Sequence, residues 1–86
     1  MKIINPKKYN LPSRIILKEN PKGQMFLIID RKSRIIMKDG NRILEIIQKI
    51  QAKEIHKTPK VLTSAPVCSK TRKFLNENKI EIINLD

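Results

Sequence analysis

The sequence is poor in cysteine, histidine and aromatic residues, and each shortage excludes a class of site. Of its 86 residues, one is cysteine and one is histidine, so the chain can form neither an internal disulfide nor a metal cage of several thiolates. Its only aromatic residues are Tyr9, Phe26 and Phe74, which are too few to build the surfaces on which single-stranded RNA stacks its bases. We expect a protein without a metal or a cofactor.

Long hydrophobic runs are also missing. No stretch approaches the roughly 20 apolar residues that a membrane span requires, and the first residues, Met1 to Pro6, contain no apolar core of signal-peptide length. Together with the single cysteine, this pattern predicts a soluble protein of a reducing cytoplasm that does not bind a membrane.

Positive charge is what the sequence has in excess. Nineteen Lys and Arg residues against eight Asp and Glu give a net charge of +11. In one domain of this size, which has room for a thin core but not for a large enclosed cavity, such a charge attracts phosphate backbones or an acidic protein partner. The alternative is a solvated basic surface without a dedicated partner.

The last third of the chain predicts a strand, a helix and a strand. Val61 and Leu62 form a short apolar run, and the spacing of apolar residues over 69–78 is helical. Residues 80–85 then alternate as strand residues do. A crossover of this length is normally a right-handed parallel βαβ unit, which predicts a partly parallel sheet.

The first two thirds predict three more strands and one helix. Residues 14–18 form a strand candidate, and 25–30 and 34–38 are two β-branched-rich runs that predict a hairpin around residues 31–33. Asn41 is a good N-cap for a helix over 42–53. The predicted fold is therefore a single small α/β domain of order βββαβαβ, with a mixed sheet of about five strands and two helices.

Residues 1–13 predict a basic N-terminal arm, and residues 14–86 form the α/β domain. The arm contains Pro6, Pro12 and the pair Lys7 and Lys8, and it has at most a short edge strand at residues 2–4. It could lie along a partner, or apolar residues could anchor it to the domain; these are Ile3, Ile4, Tyr9 and Leu11.

Cations cluster at two places in the predicted fold. Arg31, Lys32 and Arg34 share the tip of the predicted hairpin, where they must face solvent or an anion. Lys70, Arg72 and Lys73 lie at the start of the second helix. With Lys38, these residues are the predicted contacts to nucleic acid or to an acidic protein.

Two families resemble parts of the chain. Pro66, Cys68, Ser69, Arg72 and the pair Phe74–Leu75 resemble the cysteine segment of glutaredoxins and of the arsenate-reductase branch of the thioredoxin fold. That resemblance implies that Cys68 is a nucleophile. Independently, a cysteine at a helix start beside Lys70 and Arg72 should ionise below the usual thiol value. The structural alternative is a half-buried, inert cysteine.

The second resemblance covers residues 14–86 and is to the restriction-endonuclease-like fold, especially its small archaeal and Mrr-type members. It rests on the order of elements and on residues 60–65, 69–72 and 78–83. Active members carry an Asp and a Glu-x-Lys that hold magnesium. Lys38 matches that lysine, but Ile36 stands at the glutamate position and Asp30 lies at the end of its strand. The resemblance therefore implies the fold without nuclease activity.

The sequence thus favours a small basic, non-catalytic module that binds nucleic acid or docks in a larger assembly. The alternative is a thiol-dependent redox protein of thioredoxin-like type that uses Cys68.

Overall fold

The computed structural model describes residues 1–85 and contains five strands, two α-helices and one short 3₁₀ segment. The strands are β1 (Lys2–Ile4), β2 (Ile16–Glu19), β3 (Met25–Ile29), β4 (Lys60–Thr63) and β5 (Ile82–Asn84). The helices are α1 (Met37–Lys53) and α2 (Ser69–Glu77), and the 3₁₀ segment is Pro6–Tyr9. The predicted order βββαβαβ and the mixed five-stranded sheet are confirmed.

The strands lie in the sheet in the order in which they occur in the chain. The pairs β1–β2 and β2–β3 are antiparallel, whereas β3–β4 and β4–β5 are parallel. In the register of these pairs, Leu17 lies beside Leu27, Leu27 beside Val61, and Val61 beside Ile82. Each of these four side chains is at most 7% exposed, so this face of the sheet forms the floor of the core.

Both helices cover that same face. Each helix joins adjacent parallel strands, and right-handed crossovers that proceed in one direction across a sheet place their helices on one side. Helix α1 buries an apolar stripe at helical spacing, Ile43, Ile46, Ile47 and Ile50, and α2 buries Leu75. The protein is therefore a two-layer sandwich of helices on a sheet.

The two helices approach each other closely at Gly40. A Cβ atom at this position would lie 2.9 Å from Thr71 Cγ2 and 3.4 Å from Phe74 Cδ2. Because glycine has no side chain, the backbone of α1 can pack directly on α2. This contact brings the N-terminal halves of the two helices side by side.

One predicted strand is wrong. Residues 34–38 do not form a strand: Ile35 makes only an isolated bridge to Val67, and α1 already begins at Met37. The N-cap is Ile36 and not Asn41, because the Asp39 carboxylate in the first turn accepts a hydrogen bond from the Ile36 N–H at 2.9 Å. The hairpin is formed instead by β2 and β3.

The N-terminal segment packs on the core. Tyr9 and Leu11 are 1% and 3% exposed, and the Tyr9 hydroxyl donates a hydrogen bond to the Glu54 carboxylate just after α1. These contacts anchor the segment at the end of α1, while a domain boundary at residue 13 stays a prediction. Within residues 1–85, no helix is both long and apolar enough to cross a membrane.

Candidate nucleic-acid interface

The candidate site lies at one end of the sheet, where β3 and β4 end and both helices begin. Parallel strands end at the same side of a sheet, so the loops that follow β3 and β4 are neighbours there. We call this region the basic edge and define it as residues 30–38 together with residues 64–70. Helix N-termini carry partial positive charge and unpaired N–H groups, which favour anions.

A short parallel bridge joins the two loops of the basic edge. The Ile35 N–H donates to the Pro66 carbonyl at 2.8 Å, and the Cys68 N–H donates to the Ile35 carbonyl at 3.0 Å. Ile35 is fully buried, which fixes the bridge in the core. The cationic loop of residues 31–34 is thereby held beside the first turn of α2.

Arg31 braces this loop from within. Its Nε donates to the Ser33 carbonyl at 3.1 Å, and its Nη2 donates to the Arg34 carbonyl at 3.1 Å and to Asp39 Oδ2 at 2.6 Å. The hydrogen bond from Arg31 is the main reason why the pKa of Asp39 is lowered, with a smaller contribution from the Ile36 N–H. Arg31 therefore has a structural task, and 35% of its side chain stays exposed.

The other cations of the loop face solvent. Lys32 and Arg34 are exposed, and so is Lys38 in the first turn of α1. The turn itself is stabilised by Ser64, whose hydroxyl donates to Asp30 Oδ1 at 2.7 Å and accepts from the Arg31 N–H at 3.1 Å. Because the turn is held from below, its cations project from an ordered backbone.

The cations of α2 are divided between two sides of the helix. Lys70 and Lys73 are exposed. Arg72 is half-buried and hydrogen-bonds to Asn84 Oδ1 at 2.6 Å and to the Ile82 carbonyl at 3.4 Å. Since Thr71 and Phe74 face α1, Arg72 lies on the β5 side of α2, away from Arg34. The structure therefore brings Lys70 close to the basic loop but does not bring Arg72 there.

Two arginines that the sequence analysis did not select also reach this end of the molecule. Arg14 and Arg42 line a cleft of about 150 Å³ together with Arg31 and Asp39. The cleft has an apolar lining, contributed by Ile15, Ile16, Leu27, Ile28, Ile29, Ile43 and Ile46. Nothing in the local sequence signals this grouping, because Arg14 precedes β2 while Arg42 belongs to α1, and only the packing of α1 on the sheet brings them together.

Cys68 is the N-cap residue of α2 and is half-buried. Hydrogen bonds from the backbone N–H groups of Thr71 and Lys70 lower the pKa of its thiol, and Arg34 adds a smaller electrostatic contribution. Burial acts in the opposite direction. The expected shift of this thiol toward the ionised form thus has a clear cause in the start of α2.

The match to a Glu-x-Lys motif does not survive in three dimensions. Lys38 lies in α1 and Ile36 caps that helix, so neither belongs to a strand. The third strand, β3, reads Met-Phe-Leu-Ile-Ile and contributes no carboxylate. Over residues 1–85, no three His, Cys, Asp or Glu side chains come together in a way that could hold a metal ion.

The comparisons with known proteins identify the fold only. No family model and no curated protein matches the sequence. Two solved structures are similar to the chain. The first is described as the EndoMS–dsDNA2 complex, with a TM-score of 0.75 and 10% identity, covering 99% of this chain and 36% of that one. The second is EndoMS in apo form, with a TM-score of 0.66 and 10% identity, covering 83% of this chain and 33% of that one.

This chain therefore spans about a third of the length of the EndoMS chains that it matches. The likeness fits the weak resemblance to the restriction-endonuclease-like fold that the order of elements indicated. It gives no support to the thiol-dependent redox alternative.

Proposed function

We propose that this protein is a small basic module that binds the phosphate backbone of nucleic acid through its basic edge, without catalysing a reaction. The observation that carries the proposal is the bridge between Ile35 and Val67. It holds Arg34 and Lys70, which are far apart in the sequence, at one end of the sheet.

The charges of the basic edge suit a phosphate backbone. Lys32, Arg34, Lys38 and Lys70 are all exposed, and their charges add to the partial positive charge of the two helix starts. Backbone contacts of this kind position a protein on nucleic acid without reading sequence. We therefore expect binding with little sequence preference.

Duplex DNA is the first candidate ligand. EndoMS, a restriction-endonuclease-like nuclease, shares the architecture of this chain, and one of the matched structures is described as its complex with double-stranded DNA. The scarcity of aromatic residues, with only Tyr9, Phe26 and Phe74 present, also favours a duplex over a single strand, whose bases would need surfaces on which to stack. The absence of paired carboxylates on β3 supports a binding role over a hydrolytic one.

The experiment is a fluorescence-anisotropy titration of labelled duplex DNA, duplex RNA and single-stranded DNA over a salt series. Contacts from the four exposed cations of the basic edge predict that log K falls with log salt with a slope of roughly −3 to −4, since each duplex phosphate contact contributes about −0.9. We expect duplex DNA to bind more tightly than single-stranded DNA. Indifference to all three probes at low salt would overturn the proposal and leave an acidic protein as the partner of this surface.

A further inference from the structure

The face of the sheet opposite the helices carries a row of apolar side chains that nothing in the described chain covers. Ile16, Ile28, Leu62 and Ile83 lie side by side across β2, β3, β4 and β5. The next row contains Lys18, Phe26 and Lys60, with Glu81 beside Lys60. We call these eight residues the open face.

The open face is exposed in a way that the helix-covered face is not. Ile16 is 46% exposed, and Ile28, Leu62 and Ile83 are half-buried. None of these four belongs to the core cluster or packs against it. Ile3, which pairs with Lys18 on the same face, is 74% exposed.

Such a face is unusual for this kind of sheet. Strands that pair in parallel are normally buried on both faces, whereas antiparallel strands commonly expose a polar face to water. Here β3, β4 and β5 pair in parallel, and their outer face presents Phe26, Ile28, Leu62 and Ile83. A continuous apolar row of this length marks an interaction surface.

We propose that the open face packs against the open face of a second copy of the chain, as two sheets do in a β-sandwich. The apolar row has an even number of members, and its centre lies between β3 and β4. A two-fold axis that runs parallel to the strands at this centre places Ile16 opposite Ile83 of the second copy. The same axis places Ile28 opposite Leu62 of the second copy.

The charged row is complementary under the same axis. Lys18, on β2, falls opposite Glu81 of the second copy, next to β5, and each dimer contains this pair twice. Phe26 falls opposite Lys60 of the second copy, whose aliphatic stem can cover the ring while its ammonium group stays with Glu81, 3.4 Å away within its own chain. A single symmetry operation therefore matches apolar with apolar and positive with negative. This agreement is the reason for choosing a second copy over an unrelated partner.

The geometry has a consequence for the basic edge, which rests on the proposed function. Stacked sheets lie about 10 Å apart, and an axis parallel to the strands keeps the strand direction the same in both copies. The two basic edges then face the same side of the dimer. One duplex could contact both, which would raise the affinity by avidity.

Salt separates this proposal from nucleic-acid binding. Each chain carries a charge of +11, so two copies repel each other, and added salt screens that repulsion. Dimerisation through an apolar face should therefore strengthen as salt rises, whereas phosphate binding weakens. Failure of either proposal leaves the other standing.

The first test is sedimentation velocity of the full chain, free of nucleic acid, from micromolar to millimolar concentration at low and at high salt. We expect a monomer–dimer equilibrium whose dissociation constant falls as salt rises. A monomer under all of these conditions, or a dimer that high salt dissociates, would overturn the proposal.

The second test uses charge reversal on the open face. Lys18→Glu lowers the net charge and so reduces the general repulsion, yet it places two carboxylates opposite each other at both ends of the row. We expect it to weaken the dimer roughly tenfold or more, with the same direction of change for Glu81→Lys. The double variant Lys18→Glu/Glu81→Lys restores both pairs and should recover most of the affinity. If Lys18→Glu strengthens the dimer, or the double variant fails to recover it, the two-fold arrangement is wrong.

A third variant tests the apolar row. Ile28→Glu places a charge at the centre of the dimer twice and should raise its dissociation constant about a hundredfold or more. Ile28 lies outside the core cluster, so circular dichroism should show an unchanged fold. A folded Ile28→Glu variant that dimerises as well as the original chain would contradict the use of this face.

Discussion

Ile35 and Val67 form a parallel bridge that lies beyond the named strands of the sheet. They are 32 residues apart in the sequence, and their segments precede α1 and α2 directly. The bridge sets where both helices begin and keeps the basic loop next to α2. A small local element thus couples the packing of the two helices to the geometry of the candidate interface.

The close approach of α1 and α2 at Gly40 predicts a destabilising Gly40→Ala variant. The added Cβ would lie 2.9 Å from Thr71 Cγ2, and Thr71 is fully buried. Overpacking costs about 1–3 kcal/mol, which exceeds the gain of up to about 1 kcal/mol in helix propensity. We expect a net loss of roughly 1 kcal/mol in the free energy of unfolding, measured by urea denaturation.

The control for this prediction is the double variant Gly40→Ala/Thr71→Ser, because serine lacks the Cγ2 methyl group. A favourable coupling energy in the double-mutant cycle would locate the cost in this contact. A Gly40→Ala variant that is more stable than the original chain would show that α2 shifts freely to accommodate the methyl group.

The β-like run at residues 34–38 shows where local patterns mislead. Arg-Ile-Ile-Met-Lys has the composition of a strand, yet only Ile35 makes a bridge and Met37 is already helical. The deciding interaction is the Asp39 carboxylate, which accepts from the Ile36 N–H and is itself held by Arg31. Local alternation does not reveal a cap that depends on an arginine eight residues earlier.

The second half of the chain was more predictable, because its signals are local. Helix α2 begins at Ser69 as predicted, and β4 and β5 flank it in parallel. Of the candidate interface, the sequence indicated the basic loop and Lys70. It did not indicate that Arg14 and Arg42 share a cleft with Arg31, because that grouping depends on how α1 crosses the sheet.

The contact between Tyr9 and Glu54 predicts a stability change at high pH. Burial, and then the hydrogen bond to the Glu54 carboxylate, raise the pKa of Tyr9. A raised pKa means that this contribution is complete below the ordinary tyrosine value of about 10 and is lost as pH rises above it. Urea denaturation should therefore show that Tyr9→Phe lowers the free energy of unfolding by about 1–2 kcal/mol at pH 7.

Above pH 10, the difference between the two proteins should shrink, because only the original chain must ionise or retain a buried phenol. Lysine deprotonation affects both proteins alike and cancels in the comparison. Equal stability of the two proteins at pH 7 would show that the Tyr9 hydroxyl does not anchor the N-terminal segment.

The brace between Arg31 and Asp39 predicts a loss of stability in acid. The hydrogen bond from Arg31 lowers the pKa of Asp39, so its contribution is present above the ordinary value of about 4 and is lost as pH falls through the folded value. Asp39→Ala removes both the ion pair and the cap on Ile36, and should cost about 1–2 kcal/mol at pH 7. Asp39→Asn can still accept from the Ile36 N–H and should cost less.

Chemical denaturation at pH 7 and pH 3 checks this prediction. The gap between the original chain and Asp39→Ala should narrow at the lower pH, since protonation of Asp39 weakens the brace in the original chain. A gap that is independent of pH would mean that the side chain acts by packing and not by charge.

The proposed interface predicts that position matters more than net charge. The double variant Arg34→Ala/Lys70→Ala removes two exposed cations that the bridge holds at one end of the sheet, while Lys49→Ala/Lys53→Ala removes two exposed cations farther along α1. Both variants lower the net charge by two. Anisotropy titrations of duplex DNA should show a salt slope reduced by roughly two units for the first pair. The second pair should leave the slope close to that of the original chain, and equal losses for the two variants would mean that the DNA responds to total charge and not to the basic edge.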